Sequence, residues 1–330
     1  MLVSMNCVRE DQPGEKWKSL FDRSWPFYKK WYAQEGLLSR PGYLTCYNQL
    51  KEHMPELLPV YEQLCSLAGG GDIASRYLSL YSPPPFMSGC TQLAWTKPPY
   101  GIIRNYDYDP RLFEGVMLKT NWLKHVMGVS DCNWGLLDGI NEDGLAVSLT
   151  FGGRNVTGKG FGIPLVVRYA LETCATVPEA QRLFLRVPVH MAYNITMVDT
   201  HGSFSTLFLS PDRRPLLSDS WVATNHQEVV EWMEYAALTG TLERKEFLEA
   251  LLVLPHLDKE EVIRRFFNLP LYHNQAKQSF VTLYTAAYNV EERSTRILWP
   301  TKYISQSLHA FNEHREVVNL RKYQTKEFLK

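Results

Sequence analysis

The sequence predicts an α+β protein: two β-sheets packed face to face with helices outside, preceded by a helical N-terminal segment. Three observations carry this expectation. Apolar residues recur at helical spacing up to about residue 80, three successive prolines at 83–85 end that texture, and two strand-rich blocks follow, each with its own helices.

Trp17, Leu20, Phe21, Trp25, Phe27, Tyr28 and Tyr32 mark a first helix, which Pro26 is expected to interrupt. Leu50, Met54, Leu57, Leu58, Tyr61 and Leu64 place a second across 44–67, ended by Gly69-Gly70-Gly71. Pro83-Pro84-Pro85 then favours an extended run up to Cys90, the clearest boundary in the chain. Residues 91–96 and 100–106 read as a hairpin turning at Lys97-Pro98-Pro99, and 134–140 and 145–151 as another around Asn141-Glu142-Asp143-Gly144. The glycine-rich loop 152–162 reads as a flexible pocket wall, because its glycines lack the spacing of a phosphate-binding loop. Helices are expected at 164–173 and 178–185, then strands at 192–198, 204–209 and 220–224. Helices at 226–237, 242–253 and 258–267 and strands at 280–289 and 296–299 complete the reading.

The 35 basic and 35 acidic residues cancel, which argues against a dedicated nucleic-acid surface. No stretch has the roughly 18 continuous apolar residues of a membrane span. The first residues lack the basic and apolar regions of a secretory signal. Six widely spaced cysteines without a C-x-x-C pair read as reduced thiols, not as disulfides or a zinc site. A cytoplasmic protein without metal or cofactor is expected, acting on a small molecule; homo-oligomerisation is left open.

Cys90 follows a glycine and opens the first strand of the sheet region. Gly89 would allow a strained backbone there. If the Gly89–Cys90 bond is cut, one residue carries both a thiol and an α-amine. That amine, with an ordinary pKa of about 7.7–8.0, can serve as the thiol's base. Taken alone, Cys90 reads rather as a small buried apolar residue at a strand start. In Arg104-Asn105-Tyr106-Asp107, Asn105 and Asp107 share one face of a strand and Arg104 and Tyr106 the other. Such charges in an apolar strand are paired or functional, and a hairpin with the Cys90 strand brings them near the thiol. Asn225, in Thr224-Asn225-His226, is either a helix cap or an amide donor for an oxyanion.

Gly-Cys-Thr at 89–91, Arg-Asn-Tyr-Asp at 104–107, Asn-Glu-Asp-Gly-Leu-Ala-Val at 141–147 and Thr-Asn-His at 224–226, in this order, resemble the cysteine N-terminal-nucleophile (Ntn) hydrolases. The nearer resemblance is to the peptidase C45 group, with acyl-CoA:6-aminopenicillanate acyltransferase and the β-alanyl-amine hydrolases. The choloylglycine hydrolase and penicillin V acylase group is more distant. The resemblance covers Cys90 to about Trp299 and implies a four-layer αββα sandwich over 90–330, with 1–89 as a helical propeptide-like segment. It implies that Cys90 is the nucleophile, that Asp107 holds its α-amine, that Arg104 orients the thiol and that Asn225 supplies the oxyanion amide. Asn105 and Phe151 are expected at the substrate. Two departures stand out: Thr150, with Ser148 nearby, occupies the place of a second asparagine, and no arginine near Lys277–Phe280 matches the later arginine of the bile-salt and penicillin V enzymes.

The expected chemistry is hydrolysis of a linear amide through a Cys90 thioester after autocatalytic cleavage, or transfer of the acyl group to an amine. The cleaved propeptide is expected to be able to stay bound. Two rivals are a papain-type pairing of Cys90 with His190, His201 or His226, and a non-catalytic binding protein on the same scaffold.

Overall fold

The computed structural model describes residues 2–273 and 280–320. The chain opens on a strand, β1 (Leu2–Arg9), where helix was expected. Its pattern has the two-residue period of a half-buried strand: Val3, Met5 and Cys7 face inward, alternating with Ser4 and Asn6. Helix α1 (Glu15–Tyr32) follows and runs unbroken through Pro26. Pro26 is exposed, and so is Asp22, whose carbonyl it leaves without an amide partner. Meanwhile Trp17, Phe21 and Trp25 stack at 5.2 Å along the buried side. Aromatic packing here outweighs the roughly 3 kcal/mol that an interior proline costs. The expected single helix over 44–67 is two, α2 (Tyr43–His53) and α3 (Leu58–Leu67). Met54 precedes Pro55 and leaves the helical region (φ −139°, ψ 53°), as residues before proline do. Helix α4 (Asp72–Leu78) ends the segment.

The sheet region comprises β2 (Gly89–Trp95), β3 (Gly101–Tyr108), β4 (Val116–Asn121), β5 (His125–Asp131), β6 (Gly135–Asn141) and β7 (Ala146–Phe151). Helices α5 (Ile163–Thr173) and α6 (Val177–Arg186) come next, followed by β8 (Tyr193–Val198), β9 (Phe204–Leu209), β10 (Leu216–Ser218) and β11 (Val222–Ala223). Helices α7 (Met233–Thr239), α8 (Thr241–Leu252) and α9 (Lys259–Arg265) precede β12 (Val281–Asn289), β13 (Ser294–Trp299), β14 (Lys302–Ser307) and β15 (His314–Asn319). Strands β4, β5, β10, β14 and β15 are additions to the expected set. The expected helix at 226–237 starts only at Met233.

One sheet runs β10-β9-β8-β7-β6-β5-β4-β1-β15 and the other β11-β2-β3-β12-β13-β14. Strands β2 and β3 face β7 and β8 across the interior. Helices α5 and α6 cover the outer face of the larger sheet. Leu248, Leu251, Val262 and Phe266, on and just after α8 and α9, pack on Leu93 and Ile103 of the smaller one. The layers are therefore αββα, as expected. Among the described residues no helix is long and apolar enough to cross a membrane, and no group of three or more His, Cys, Asp or Glu side chains is placed to hold a metal ion.

The N-terminal segment is woven into this sandwich. Strand β1 lies between β4, to which it is parallel, and β15, to which it is antiparallel. The Tyr28 hydroxyl on α1 donates to Glu114 and, at 3.3 Å, to Asp131 Oδ1. Burial, and then the neighbouring Glu114, raise the Asp131 carboxyl from 3.8 to about 7. A carboxyl raised in the folded state contributes stability that is fully present below the unfolded value and lost as pH rises through the folded one. Stability from this group therefore falls between about pH 4 and 7. In Asp131→Asn, which is neutral throughout, thermal melts at pH 4.5 and 7.5 should differ less than in wild type. An unchanged difference contradicts the assignment.

Candidate active site

The β2–β3 hairpin builds the centre. Gly89 pairs with Asp107, Cys90 with Tyr106 and Gln92 with Arg104. Strand alternation points Cys90 and Arg104 between the sheets, where the Arg104 Nη2–H donates to Cys90 Sγ at 3.4 Å. The same guanidinium is anchored on Asp138 Oδ2 at 2.7 Å and on the Leu137 carbonyl at 2.5 Å. Asp138 in turn accepts from the Tyr284 and Tyr288 hydroxyls. Burial pulls the Arg104 pKa down, but nearby Tyr284, Cys90 and Asp138 outweigh it and raise it overall. It thus presents a fixed positive charge to the thiol.

Cys90 is fully buried, with the Ser88 hydroxyl 3.5 Å from its sulfur. Gly89 is ordinary extended strand without a positive φ, so the expected backbone strain is absent. What favours glycine is space: a Cβ there would lie 3.2 Å from Asp107 Cβ, a tight contact. Asp107 Oδ1 accepts from Thr282 Oγ1 at 2.6 Å. Among the described residues its Oδ2 is buried without a hydrogen bond, with Arg244 Nη1 at 3.8 Å and His273 Nε2 at 3.9 Å.

Asn225 follows β11 and does not cap a helix, since α7 begins eight residues later. Its side chain brackets the segment around Gly89: Nδ2 donates to the Ser88 carbonyl at 3.0 Å and Oδ1 accepts from the Cys90 N–H at 2.9 Å. Nδ2 also reaches the Phe151 carbonyl at 3.0 Å, and Arg244 Nη2 donates to Oδ1 at 2.7 Å. Carbonyls on one end and donors on the other fix which way the amide points.

Two other expected residues stand apart from the thiol. Asn105 turns toward the outer helices, where its amide is satisfied by the carbonyls of Phe266 (2.8 Å) and Leu271 (3.0 Å) and by Thr285. Thr150 donates to the Thr224 carbonyl at 2.9 Å and so braces the strand end that carries Asn225. Asn194, opposite Thr150 on β8, donates to the carbonyls of Thr224 and His226 at 2.8 and 2.9 Å. It straddles Asn225 from behind. Phe151 packs edge-on against Tyr235 at 5.1 Å. The loop after it is no loose wall: a Cβ on Gly153 (φ +67°) would lie 2.0 Å from the Asn225 carbonyl oxygen.

The sequence reading missed three side chains here. Arg244 on α8 donates to the Cys90 carbonyl (2.5 Å), Thr91 Oγ1 (2.6 Å) and Asn225 Oδ1. It brings an arginine to the site from a different place than the expected 277–280, of which 277–279 lie outside the described residues. In Leu242-Glu243-Arg244-Lys245-Glu246 it looks like one charge on a solvated helix face, and nothing local marks it. Tyr235, read as a helix residue, donates to the Ser88 carbonyl at 2.9 Å. Asn194 did carry a signal, as a polar residue in the apolar run Tyr193–Val198.

None of the three histidines hydrogen-bonds to the thiol among the described residues. His226 bonds Thr241 and burial lowers its pKa to about 4, His190 bonds the Phe161 carbonyl and burial lowers it to about 3, and His201 bonds Asp199 through its backbone. The cavity beside Gly89 holds about 10 Å³, scarcely one water. A cleft of about 470 Å³ opens nearby between Phe27, Trp31, Tyr108 and Asp131, walled by Pro85 and Phe86 of the run leading to Cys90. That volume lies within the roughly 300–1,000 Å³ of small-molecule sites.

The model of a family described as acyl-coenzyme A:6-aminopenicillanic acid acyl-transferase matches residues 96–303, a stretch that begins beyond Cys90. Curated protein sequences give no match. Among solved structures, a conjugated bile acid hydrolase mutant from Clostridium perfringens is similar at TM-score 0.49 and 13% identity, over 70% of this chain and 96% of that one. An N-acylethanolamine-hydrolyzing acid amidase ortholog from Caenorhabditis elegans is similar at TM-score 0.45 and 15% identity, over 70% of this chain and 100% of that one. A penicillin V acylase from Agrobacterium tumefaciens is similar at TM-score 0.37 and 12% identity, over 67% and 78%. At TM-scores below 0.5 these likenesses carry no functional weight.

Proposed function

This chain belongs to the acyl-coenzyme A:6-aminopenicillanic acid acyl-transferase family and is an Ntn-type enzyme of amide hydrolysis or acyl transfer; we propose that Cys90 is its nucleophile, exposed by self-cleavage of the Gly89–Cys90 bond. The observation that carries this reading is the Asn225 bracket. One side chain holds the peptide groups on both sides of Gly89, while a fixed Arg104 N–H sits on the sulfur.

In the cleavage step the Cys90 sulfur attacks the Gly89 carbonyl carbon. The C–N bond breaks as the thiol proton passes to the departing nitrogen, which leaves a Gly89 thioester and a free α-amine. Water then hydrolyses the thioester, giving a Gly89 carboxylate and restoring the thiol. On this reading Asp107 Oδ2, buried without a hydrogen bond among the described residues, gains the new α-amine as a donor, which removes an otherwise unfavourable buried acceptor. Cleavage must precede turnover, because the thiol is fully buried and the cavity beside Gly89 is too small for a substrate.

In the mature enzyme the α-amine takes the thiol proton, sulfur attacks the substrate amide, and the resulting ammonium protonates the leaving amine. Water as the second acceptor gives hydrolysis, and an amine gives acyl transfer. The non-catalytic alternative loses ground to the pairing of Arg104 with the sulfur: a buried guanidinium is a costly group to aim at an inert thiol.

N-terminal sequencing of the purified protein tests the premise. A fragment beginning Cys-Thr-Gln is expected, co-eluting with residues 1–89, because β1 sits between two strands of the larger sheet and Trp17, Phe21, Leu50 and Leu64 belong to the common core. Full activity from an uncut chain would refute the proposal.

A further inference from the structure

Two hydrogen-bond donors converge on one carbonyl beside the thiol. The Ser88 carbonyl oxygen accepts from Asn225 Nδ2 at 3.0 Å and from the Tyr235 hydroxyl at 2.9 Å. Ser88 lies against the sulfur, its own hydroxyl 3.5 Å from Cys90 Sγ. Phe151 holds the Tyr235 ring edge-on and Trp232 stacks on it at 5.1 Å, while its hydroxyl is otherwise unengaged among the described residues. Two rigid, buried donors on one acceptor are the arrangement that stabilises an oxyanion. In the uncut chain a backbone carbonyl of the chain itself occupies it.

We infer that Tyr235 is a catalytic residue, the second oxyanion donor beside Asn225, and that the Ser88 carbonyl fills the hole until cleavage of the Gly89–Cys90 bond releases it. This rests on Cys90 being the nucleophile. The inference moves the second donor from Thr150, whose hydroxyl is committed to the Thr224 carbonyl, to a residue on α7. Once the segment ending at Gly89 withdraws, the carbonyl of a substrate amide takes the place of Ser88, with its carbon facing the sulfur. As the C–S bond forms, the carbonyl electrons move onto oxygen, where the phenol O–H and the amide N–H meet the charge. Burial, and then the neighbouring Cys90 sulfur, raise the Tyr235 pKa well above its ordinary value, so the hydroxyl keeps its proton and remains a donor.

The test is the acylation burst of the matured protein with 4-nitrophenyl acetate. Cys90 sulfur displaces 4-nitrophenolate, its proton passes to the α-amine, and one nitrophenolate is released per active chain. Tyr235→Phe, which removes one oxygen, should keep the burst amplitude and slow its rate about 100-fold, the scale reported for loss of one oxyanion donor. A rate within about twofold of wild type overturns the inference. The two premises separate in the same assay: Cys90→Ala should give no burst, and a burst there would refute the nucleophile instead. If Tyr235→Phe is recovered uncut, 3,5-difluorotyrosine at 235 replaces it. The more acidic phenol should give the burst rate a fall at high pH where it ionises and stops donating, and a profile matching wild type overturns the role.

Discussion

Cys90→Ala is expected to leave the purified protein as one uncut chain of 330 residues and to abolish acyl transfer. The loss should be total, because the thiol is asked to act twice: on the Gly89 carbonyl during cleavage and on the substrate carbonyl afterwards. No second thiol can replace it. Cys7, Cys46, Cys65, Cys132 and Cys174 lie on other elements, and burial raises the pKa of each, that of Cys7 to about 11. The thiolate is the reactive form, so such cysteines are inert near neutral pH. The alanine variant loses little packing, so a folded protein is expected and its inactivity can be assigned to chemistry. Intact mass decides the first part, and stoichiometric labelling by a thiol-reactive acylating probe in wild type alone decides the second. Equal labelling of both proteins would remove Cys90 from the role.

Arg244→Met should be almost as damaging by another route. Arg244 donates to the Cys90 carbonyl, Thr91 Oγ1, Asn225 Oδ1 and the Thr239 carbonyl, and it is the guanidinium 3.8 Å from Asp107. Methionine fills much of its volume but leaves several buried acceptors unpaired and Asp107 without this counter-charge. Removing one member of a buried charge pair costs about 3–5 kcal/mol. For a chain of this length that is a fall of roughly 4–7 °C in melting temperature. Asn225 would also lose one of the two donors that hold its Oδ1, so cleavage should stall. The exposed pair Arg296–Glu260 is the control: Arg296→Met should change stability by about 1 kcal/mol or less. If Arg244→Met cleaves at the wild-type rate, Arg244 is not part of the machinery.

The legibility of the site varied with how local each cause was. The juxtaposition of Cys90, Arg104 and Asp107 was readable because they sit on two strands joined by a short turn, where pairing register follows from the hairpin itself. Asn225 was readable as a residue type at a strand end, but its two uses differ only in what lies across the fold. A capping asparagine and a bracketing asparagine have the same local sequence. Helix α1 shows the opposite error: a local rule for Pro26 gave way to an aromatic stack built over about two turns. Strand β1 was missed although Val3, Met5 and Cys7 alternate, because a strand so far from its partners has no turn to announce it.

By itself the sequence determined the two-sheet architecture and a cysteine followed by Arg104 and Asp107 at hairpin spacing. Periodicity and turn chemistry are local, and they survive without knowledge of the fold. Only the tertiary structure decided what surrounds the thiol: Arg244 and Tyr235 arriving from the outer helical layer, Asn194 behind Asn225, and Thr150 and Asn105 turned to structural work. Those assignments depend on which elements meet across a buried interface. At that interface, hydrogen bonds formed out of water, more than residue type, settle which polar groups are held and which are free to react.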